Sequence, residues 1–345
     1  PTMQKPALRD RLNSINVKLS LLVVLAIGVS LAAVGVVSVR LARSGMEQAG
    51  MAQVTDALNG AEALMSRYYD RLAGGELTKP EAVARVRREL SGPIESISFA
   101  AGSQAEFRSR LAELGVSEDG ALSYSQFRND DGTVSFDSGP ALQLVAPAYE
   151  SLSLERQRAL ANGDAGLRVL RDLSGATIQL RDTGYVFAIT AVLEEADEGY
   201  AYELIHPSLE NVNVWNATTP EGEPLGIQLA TLRGLRRDAI GETVRYDYRW
   251  QNPTDPQPRF KQNQLRYFEP ADSVLIAGLY ADEYLFAIDQ IRLSIALFTL
   301  LFGLAAAILV YILNSRLATR PLALVTRRIE EIAAGEADLT AELGA

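Results

Sequence analysis

The 345 residues contain no cysteine and a single histidine. The first absence excludes disulfides and thiolate metal sites. The second leaves no basis for a histidine zinc cluster or a histidine-dependent triad within one chain. Calcium-loop chemistry is missing too. Asn129-Asp-Asp-Gly132 lacks the alternating acids and the closing glutamate of such a loop, so it reads as a turn. No metal and no cofactor is therefore expected. Acidic residues outnumber basic ones through the middle of the chain. Residues 1–40 carry +4 and residues 314–345 carry −1 of the net −10, which leaves −13 on the part between. So acidic a surface argues against nucleic acid or anionic lipid as its ligand, although a pocket can differ from the surface around it.

What the chain has instead is two long uncharged apolar runs. Leu19–Val39 lies between Lys18 and Arg40, and Leu293–Leu313 lies between Arg292 and Asn314; each is 21 residues long. About 20 apolar residues cross a bilayer as a helix, so both are expected transmembrane helices. The first is too long for a signal-peptide core and lacks a small-residue cleavage end. Lys5, Arg9, Arg11 and Lys18 precede the first span, and Arg316, Arg320, Arg327 and Arg328 follow the second. The bias of short-loop lysine and arginine places both ends in the cytoplasm. The expected layout is a cytoplasmic tail (1–18), a first span (19–40), an external domain (41–292), a second span (293–313) and a cytoplasmic segment (314–345).

After the first span, Met51, Val54, Leu58, Ala61, Met65, Tyr68 and Leu72 are spaced alternately by three and four. This is a heptad seam on a long helix, which packs on its own domain or in part on a second protomer. Gly74-Gly75 ends that helix, and Thr78-Lys-Pro-Glu81 opens the next as a capping box. Residues 92–181 are expected to hold a hairpin from Ala121 to Phe136, turning at Asp131-Gly132, and then a helical run from about Pro140 to Leu173. An acid cluster, Glu194, Glu195, Asp197 and Glu198, reads as a solvated loop.

Between Asp182 and Glu283, four apolar-aromatic runs separated by turn residues read as strands of one antiparallel sheet. They are Asp182-Thr-Gly-Tyr-Val-Phe-Ala-Ile-Thr190, Tyr200-Ala-Tyr-Glu-Leu-Ile-His-Pro207, Arg245-Tyr-Asp-Tyr-Arg-Trp250 and Val274-Leu-Ile-Ala-Gly-Leu-Tyr-Ala-Asp-Glu283. With a period of two, Tyr185, Phe187 and Ile189 share a face; so do Tyr200, Tyr202, Leu204 and His206, and so do Tyr246, Tyr248 and Trp250. Alternating aromatics can be plain core. The pointer to a pocket is the number of polar tips, because tyrosine hydroxyls, an indole N–H and a histidine all need partners when buried. Several of them beside Lys261 suit a small polar ligand.

The order of these motifs resembles the Cache domain, the PAS-like extracytoplasmic sensor of bacterial receptors, in its single-module form. The carriers are the Gly-Tyr-aromatic strand, the His-Pro at a strand end, the Tyr-x-Trp strand, the lysine and the final Gly-x-Tyr-x-Asp. The phrase from Arg67 to Ala82 resembles the first helices of the same sensors. Gln264 stands where the pattern has an aromatic, and Asp272-Ser273 replaces its usual tryptophan. The 90 residues at 92–181 exceed the plain pattern and read as an insertion or a small distal module.

After the second span, Leu322, Val325, Ile329 and Ile332 form a seam that starts near Pro321 and stops at Gly335. This stretch resembles the first helix and part of the connector of a HAMP domain, and Gly-Glu-Ala-Asp-Leu-Thr340 resembles chemoreceptors especially. The resemblance implies an α+β fold: two transmembrane helices flanking a PAS-like Cache sensor of long helix plus antiparallel sheet, then a HAMP helix. It implies the sensory portion of a methyl-accepting chemotaxis protein in the inner membrane, with its sensor in the periplasm. Such a chain is not itself an enzyme. It forms a homodimer, contacts membrane lipid, and signals to a cytoplasmic chemotaxis histidine kinase and coupling protein through sequence beyond residue 345. A sensor histidine kinase or diguanylate cyclase with the same front end is the alternative. The expected ligand is a short-chain carboxylate, and the expected contacts are Tyr185, Phe187, Tyr202, His206, Tyr248, Trp250 and Lys261.

Overall fold

The computed structural model describes residues 15–117, 122–190, 201–214, 218, 220, 222, 241–252 and 255–333. Most of the N-terminal tail, the acid cluster at 194–198, Tyr200 and Gly335 lie outside the described residues. The chain divides into two compact units, one of residues 1–45 with 286–345 and one of residues 46–285.

The first unit is helical. Helix α1 runs Ile15–Ala73, and a later helix runs Ala281–Asn314. Both contain stretches long and apolar enough to cross a membrane. Gly35 brings them together, since a methyl group there would lie 2.8 Å from a side-chain carbon of Ile295. A single π-turn, Ser315–Thr319, leads into a helix over Arg320–Ala333. On it Leu322, Val325, Ile329 and Ile332 are all exposed.

In the second unit, α1 ends at Ala73, where the Gly74 N–H donates to the Asp70 carbonyl at 2.8 Å and Gly75 takes φ +77°. Helix α2, Lys79–Ser91, starts with the expected cap: the Thr78 N–H donates to the Glu81 carboxylate at 2.8 Å. A small α/β module follows. Its elements are β1 (Ile94–Ala100), α3 (Gln104–Glu113), the one-turn α4 (Tyr124–Phe127), β2 (Thr133–Phe136), α5 (Gly139–Ser151), α6 (Leu154–Asn162) and β3 (Arg168–Arg171). The strands pair antiparallel in the order β2-β1-β3 over a core that includes Phe99, Phe107, Phe136, Val145 and Tyr149.

This corrects two expectations. The turn at Asp131-Gly132 exists, but the hairpin is reduced to one bridge, Arg128 with Val134, because Tyr124–Phe127 is helical and β2 pairs with β1 instead. The helical run from Pro140 breaks at Leu152, whose extended backbone lets Ser153 cap α6, and its last part is β3.

Among the described residues the second sheet has five strands, β4 (Tyr185–Thr190), β5 (Glu203–Ile205), β6 (Val244–Trp250), β7 (Arg259–Phe268) and β8 (Ser273–Tyr280), in the antiparallel order β5-β4-β8-β7-β6. One face packs on α1 and α2. Val186, Ala188, Leu275, Ala277 and Leu279 meet Val54, Leu58, Ala61, Met65 and Val83 there. The heptad seam of α1 thus packs on its own domain through buried Val54, Leu58, Ala61 and Met65, with Met51, Tyr68 and Leu72 half-buried beside them. The polar residues of β7 on this face are partnered by the helix: Thr55 donates to Gln264 at 2.9 Å, and Arg266 pairs with Glu62. Gln264 is therefore a helix-facing residue, and its departure from an aromatic leaves the opposite face untouched.

The module is stapled to the sheet by a buried ionic knot. Glu210 accepts from Arg171 Nε at 2.6 Å, lies 2.8 Å from Arg87 Nη1 and accepts from the Tyr149 hydroxyl at 3.0 Å. Burial alone would raise the Glu210 pKa, but Arg171 and Arg87 outweigh it and hold the group below the usual carboxylate value.

Candidate functional site

The opposite face of the sheet holds Tyr185, Phe187 and Ile189 of β4, Leu265 and Tyr267 of β7, and Ile276 and Tyr280 of β8. Register fixes who meets whom. Tyr248, Lys261 and Tyr280 lie in one row across β6, β7 and β8, and Tyr246, Asn263, Gly278 and Tyr185 lie in the next. Because side chains alternate, each row presents its members to the same face. Gly278 is what opens the middle. A Cβ there would fall 2.1 Å from Asn263 Oδ1 and 2.9 Å from Lys261 Cε.

Lys261 is fully buried in that gap. Its Nζ lies 3.4 Å from the centre of the Tyr185 ring, 4.6 Å from Phe187 and 5.5 Å from Tyr280. Ring faces attract a cation, by roughly 2 kcal/mol when desolvated. They accept no conventional hydrogen bond, and among the described residues Nζ has no hydrogen-bond partner. Burial pushes the Lys261 pKa well below the usual lysine value, with Glu203 and Asp255 opposing.

His206 is buried at the end of β5. Its Nδ1 accepts the backbone N–H groups of Ser208 at 3.1 Å and Leu209 at 3.0 Å. The ring proton therefore sits on Nε2, which donates to the Tyr185 hydroxyl at 3.3 Å. Burial, then Lys261, keeps the ring neutral by lowering its pKa well below the ordinary value. Tyr185 in turn donates to Asn252 Oδ1 at 3.4 Å, and Asn252 Nδ2 donates to the Tyr280 hydroxyl at 2.7 Å and to Asp255 at 2.8 Å. The tyrosines stay protonated. Burial lifts the Tyr185 and Tyr248 pKa values well above 10 and that of Tyr280 to about 12. At the end of the motif, Asp282 pairs with Arg259 at 2.8 Å, and Arg259 lies 4.0 Å over the Tyr280 ring.

Six of the seven residues expected from the sequence share this face. Tyr185, Phe187, His206 and Lys261 form its buried centre. Tyr248 and Trp250 are half-buried on the edge strand, their rings 6.2 Å apart and edge-on. Tyr202 is the exception. It precedes β5, beside Ala201 in left-handed backbone (φ +59°), and its ring lies under Arg158 at 4.7 Å. Leu204 likewise belongs to the helix-facing core.

Glu203 was not expected. A register shift between Ala188 and Ile189 sets it opposite inward-facing Ile189. Its side chain is buried, and among the described residues Oε2 has no hydrogen-bond partner. Burial raises its pKa well above the ordinary value, and Lys261 draws it back. Asn263 also escaped notice. It donates from Nδ2 to the Tyr246 carbonyl at 3.0 Å, but its buried Oδ1 has no partner among the described residues.

No family model and no curated protein was found to match the chain. Three solved structures are similar to it. One is a Cache chemosensory domain solved for its carboxylic acid recognition, with 13% identity and a TM-score of 0.35, covering 69% of this chain and 98% of that one. The second is the periplasmic sensor domain of a chemotaxis protein, with 14% identity, a TM-score of 0.32 and coverage of 67% and 94%. The third is a methyl-accepting chemotaxis protein from Vibrio parahaemolyticus RIMD 2210633, with 19% identity, a TM-score of 0.23 and coverage of 41% and 82%.

Proposed function

We propose that this chain is the sensory portion of a chemoreceptor with two membrane spans, and that the Tyr185–Lys261 face binds a small ligand carrying a carboxylate. The observation that carries the reading is Lys261: a fully buried lysine amine, ringed by aromatic faces and without an acceptor among the described residues. A buried donor left unsatisfied costs about 1–3 kcal/mol, and a charge-assisted bond to a carboxylate returns about 1.5–3 kcal/mol. Tyr248 and Trp250 line the solvent-reached edge.

In this reading residues 41–292 face the periplasm, as the lysine and arginine bias requires. Ligand closure acts through β8, which ends at Tyr280 where the helix from Ala281 begins. The signal continues into a HAMP domain that starts after Asn314, and from there to a chemotaxis kinase and its coupling protein. The exposed seam of Leu322, Val325 and Ile329 is what a parallel homodimer covers. A ligand moves such a receptor only by its differential affinity for the two signalling states.

Calorimetry with acetate, propionate and pyruvate tests the site. Lys261→Ala should bind the carboxylate that the parent binds about tenfold to a hundredfold more weakly while remaining folded. Equal binding by parent and variant places Lys261 outside the site and refutes the reading.

A further inference from the structure

We infer that Glu203 and Asn263 form a second, acceptor pole of the same site, so that the ligand is a small zwitterion whose carboxylate meets Lys261 and whose ammonium meets Glu203 and the Asn263 side-chain oxygen. This rests on the carboxylate reading above and narrows it. Three polar atoms on one face of the sheet, Lys261 Nζ, Glu203 Oε2 and Asn263 Oδ1, are buried and lack hydrogen-bond partners among the described residues. Buried polar atoms are normally satisfied, and an unsatisfied one calls for an explanation. Here the mismatch has a sense. One atom is a donor and two are acceptors.

A plain carboxylate satisfies only the donor. It leaves both acceptor atoms without a donor. A ligand with a carboxylate at one end and an ammonium at the other satisfies all three atoms and leaves the buried site neutral. Among the described residues, neighbouring groups do not supply the donor that the two acceptors lack. The Asn263 amide is committed to the carbonyls of Tyr246 and Lys261, and the His206 Nε2 proton is directed at Tyr185. Among the described residues, the remaining charged groups at this end, Asp255, Arg259, Asp282 and Glu283, pair with one another.

Matched pairs test this on the full chain in lipid nanodiscs: acetate with glycine, propionate with 3-aminopropionate, and butyrate with 4-aminobutyrate. Members of a pair share a chain length and differ in the ammonium. In at least one pair the amino acid should bind about tenfold tighter or more, the worth of a charged hydrogen bond. Glu203→Gln, which keeps the shape and removes the charge, should erase most of that preference while leaving the matching carboxylate bound. Carboxylates binding as tightly as their amino partners in all three pairs overturn the second pole and leave the carboxylate reading intact. That comparison needs only the parent, so it decides even where Glu203→Gln does not fold. A preference that survives in folded Glu203→Gln overturns the role of Glu203. Binding by none of the six overturns both readings.

Discussion

Lys261 and Glu203 should tilt the pH dependence of stability in opposite directions, and each should do so visibly only when the other is removed. Burial lowers Lys261 from the ordinary 10.5. Between its folded value and 10.5 the unfolded chain holds one proton more than the folded chain, so stability rises with pH. Burial raises Glu203 from the ordinary 4.5. Between 4.5 and its folded value the folded chain holds the extra proton, so stability falls as pH rises. In the parent the two slopes oppose wherever the windows overlap.

Lys261→Met keeps the alkyl stem, removes the rising slope and removes the cation that draws Glu203 back. Its stability should fall with pH above 4.5, at a limiting slope of about 1.4 kcal/mol per pH unit. Glu203→Gln should do the reverse, gaining stability towards 10.5 with the same limiting slope. For a folding unit of about 240 residues, 1 kcal/mol shifts Tm by about 2–4 °C, so the tilt is about 3–5 °C per pH unit. Thermal unfolding followed by tryptophan fluorescence, from about pH 5 to about pH 9 at constant ionic strength, measures it, since Trp250 lies on the edge of the site. Variants whose Tm profiles parallel the parent's would show that both groups are hydrated and ionised in the folded protein, and the argument from burial would fail.

Two further outcomes are expected. Glu210→Gln leaves buried Arg87 without a carboxylate and buried Arg171 with Glu150 alone, and should destabilise the second unit by about 3–5 kcal/mol in urea unfolding; a loss under about 1 kcal/mol would mean that the knot is not what holds the module. In whole cells Ser138→Cys should react with an impermeant maleimide and Ser315→Cys should not, a clean assay in a chain without cysteine, and the opposite pattern would invert the topology.

The parts legible in the sequence are those where local pattern and tertiary role agree. The apolar runs, the α1 seam, the Thr78 cap and the alternation of Tyr185, Phe187 and Ile189 each state their structure locally. Strand β7 was illegible beyond Lys261 because both of its faces carry polar residues. Lys261 and Asn263 point to the site, while Gln262, Gln264 and Arg266 point to the helices, where Tyr284 donates to Gln262 and Thr55 to Gln264. Read alone, Arg259–Phe268 is a polar loop with three aromatics. The strands of the small module are four to seven residues long, too short for a period of two to stand out, and the apolar spacing of α5 runs on through Ser151–Ser153 without a strong breaker.

Glu203 was hidden for a different reason. Counting by twos from Tyr200 sends Tyr202 and His206 inward and Glu203 outward. The left-handed backbone at Ala201 and the register shift opposite β4 reverse that parity from Tyr202 to Leu204. Two local irregularities therefore move an acid that reads as solvated into the same buried face as the lysine. A sheet face built for stability alone would carry apolar side chains at 203, 261 and 263, since replacing buried polar groups by well-packed apolar ones is commonly neutral or stabilising. The chain instead keeps a donor and two acceptors there, spaced by the absence of a side chain at Gly278. The positions hardest to read as strand core are thus the ones that give the face its chemistry, and the energy missing from their unsatisfied atoms is what a bound ligand can supply.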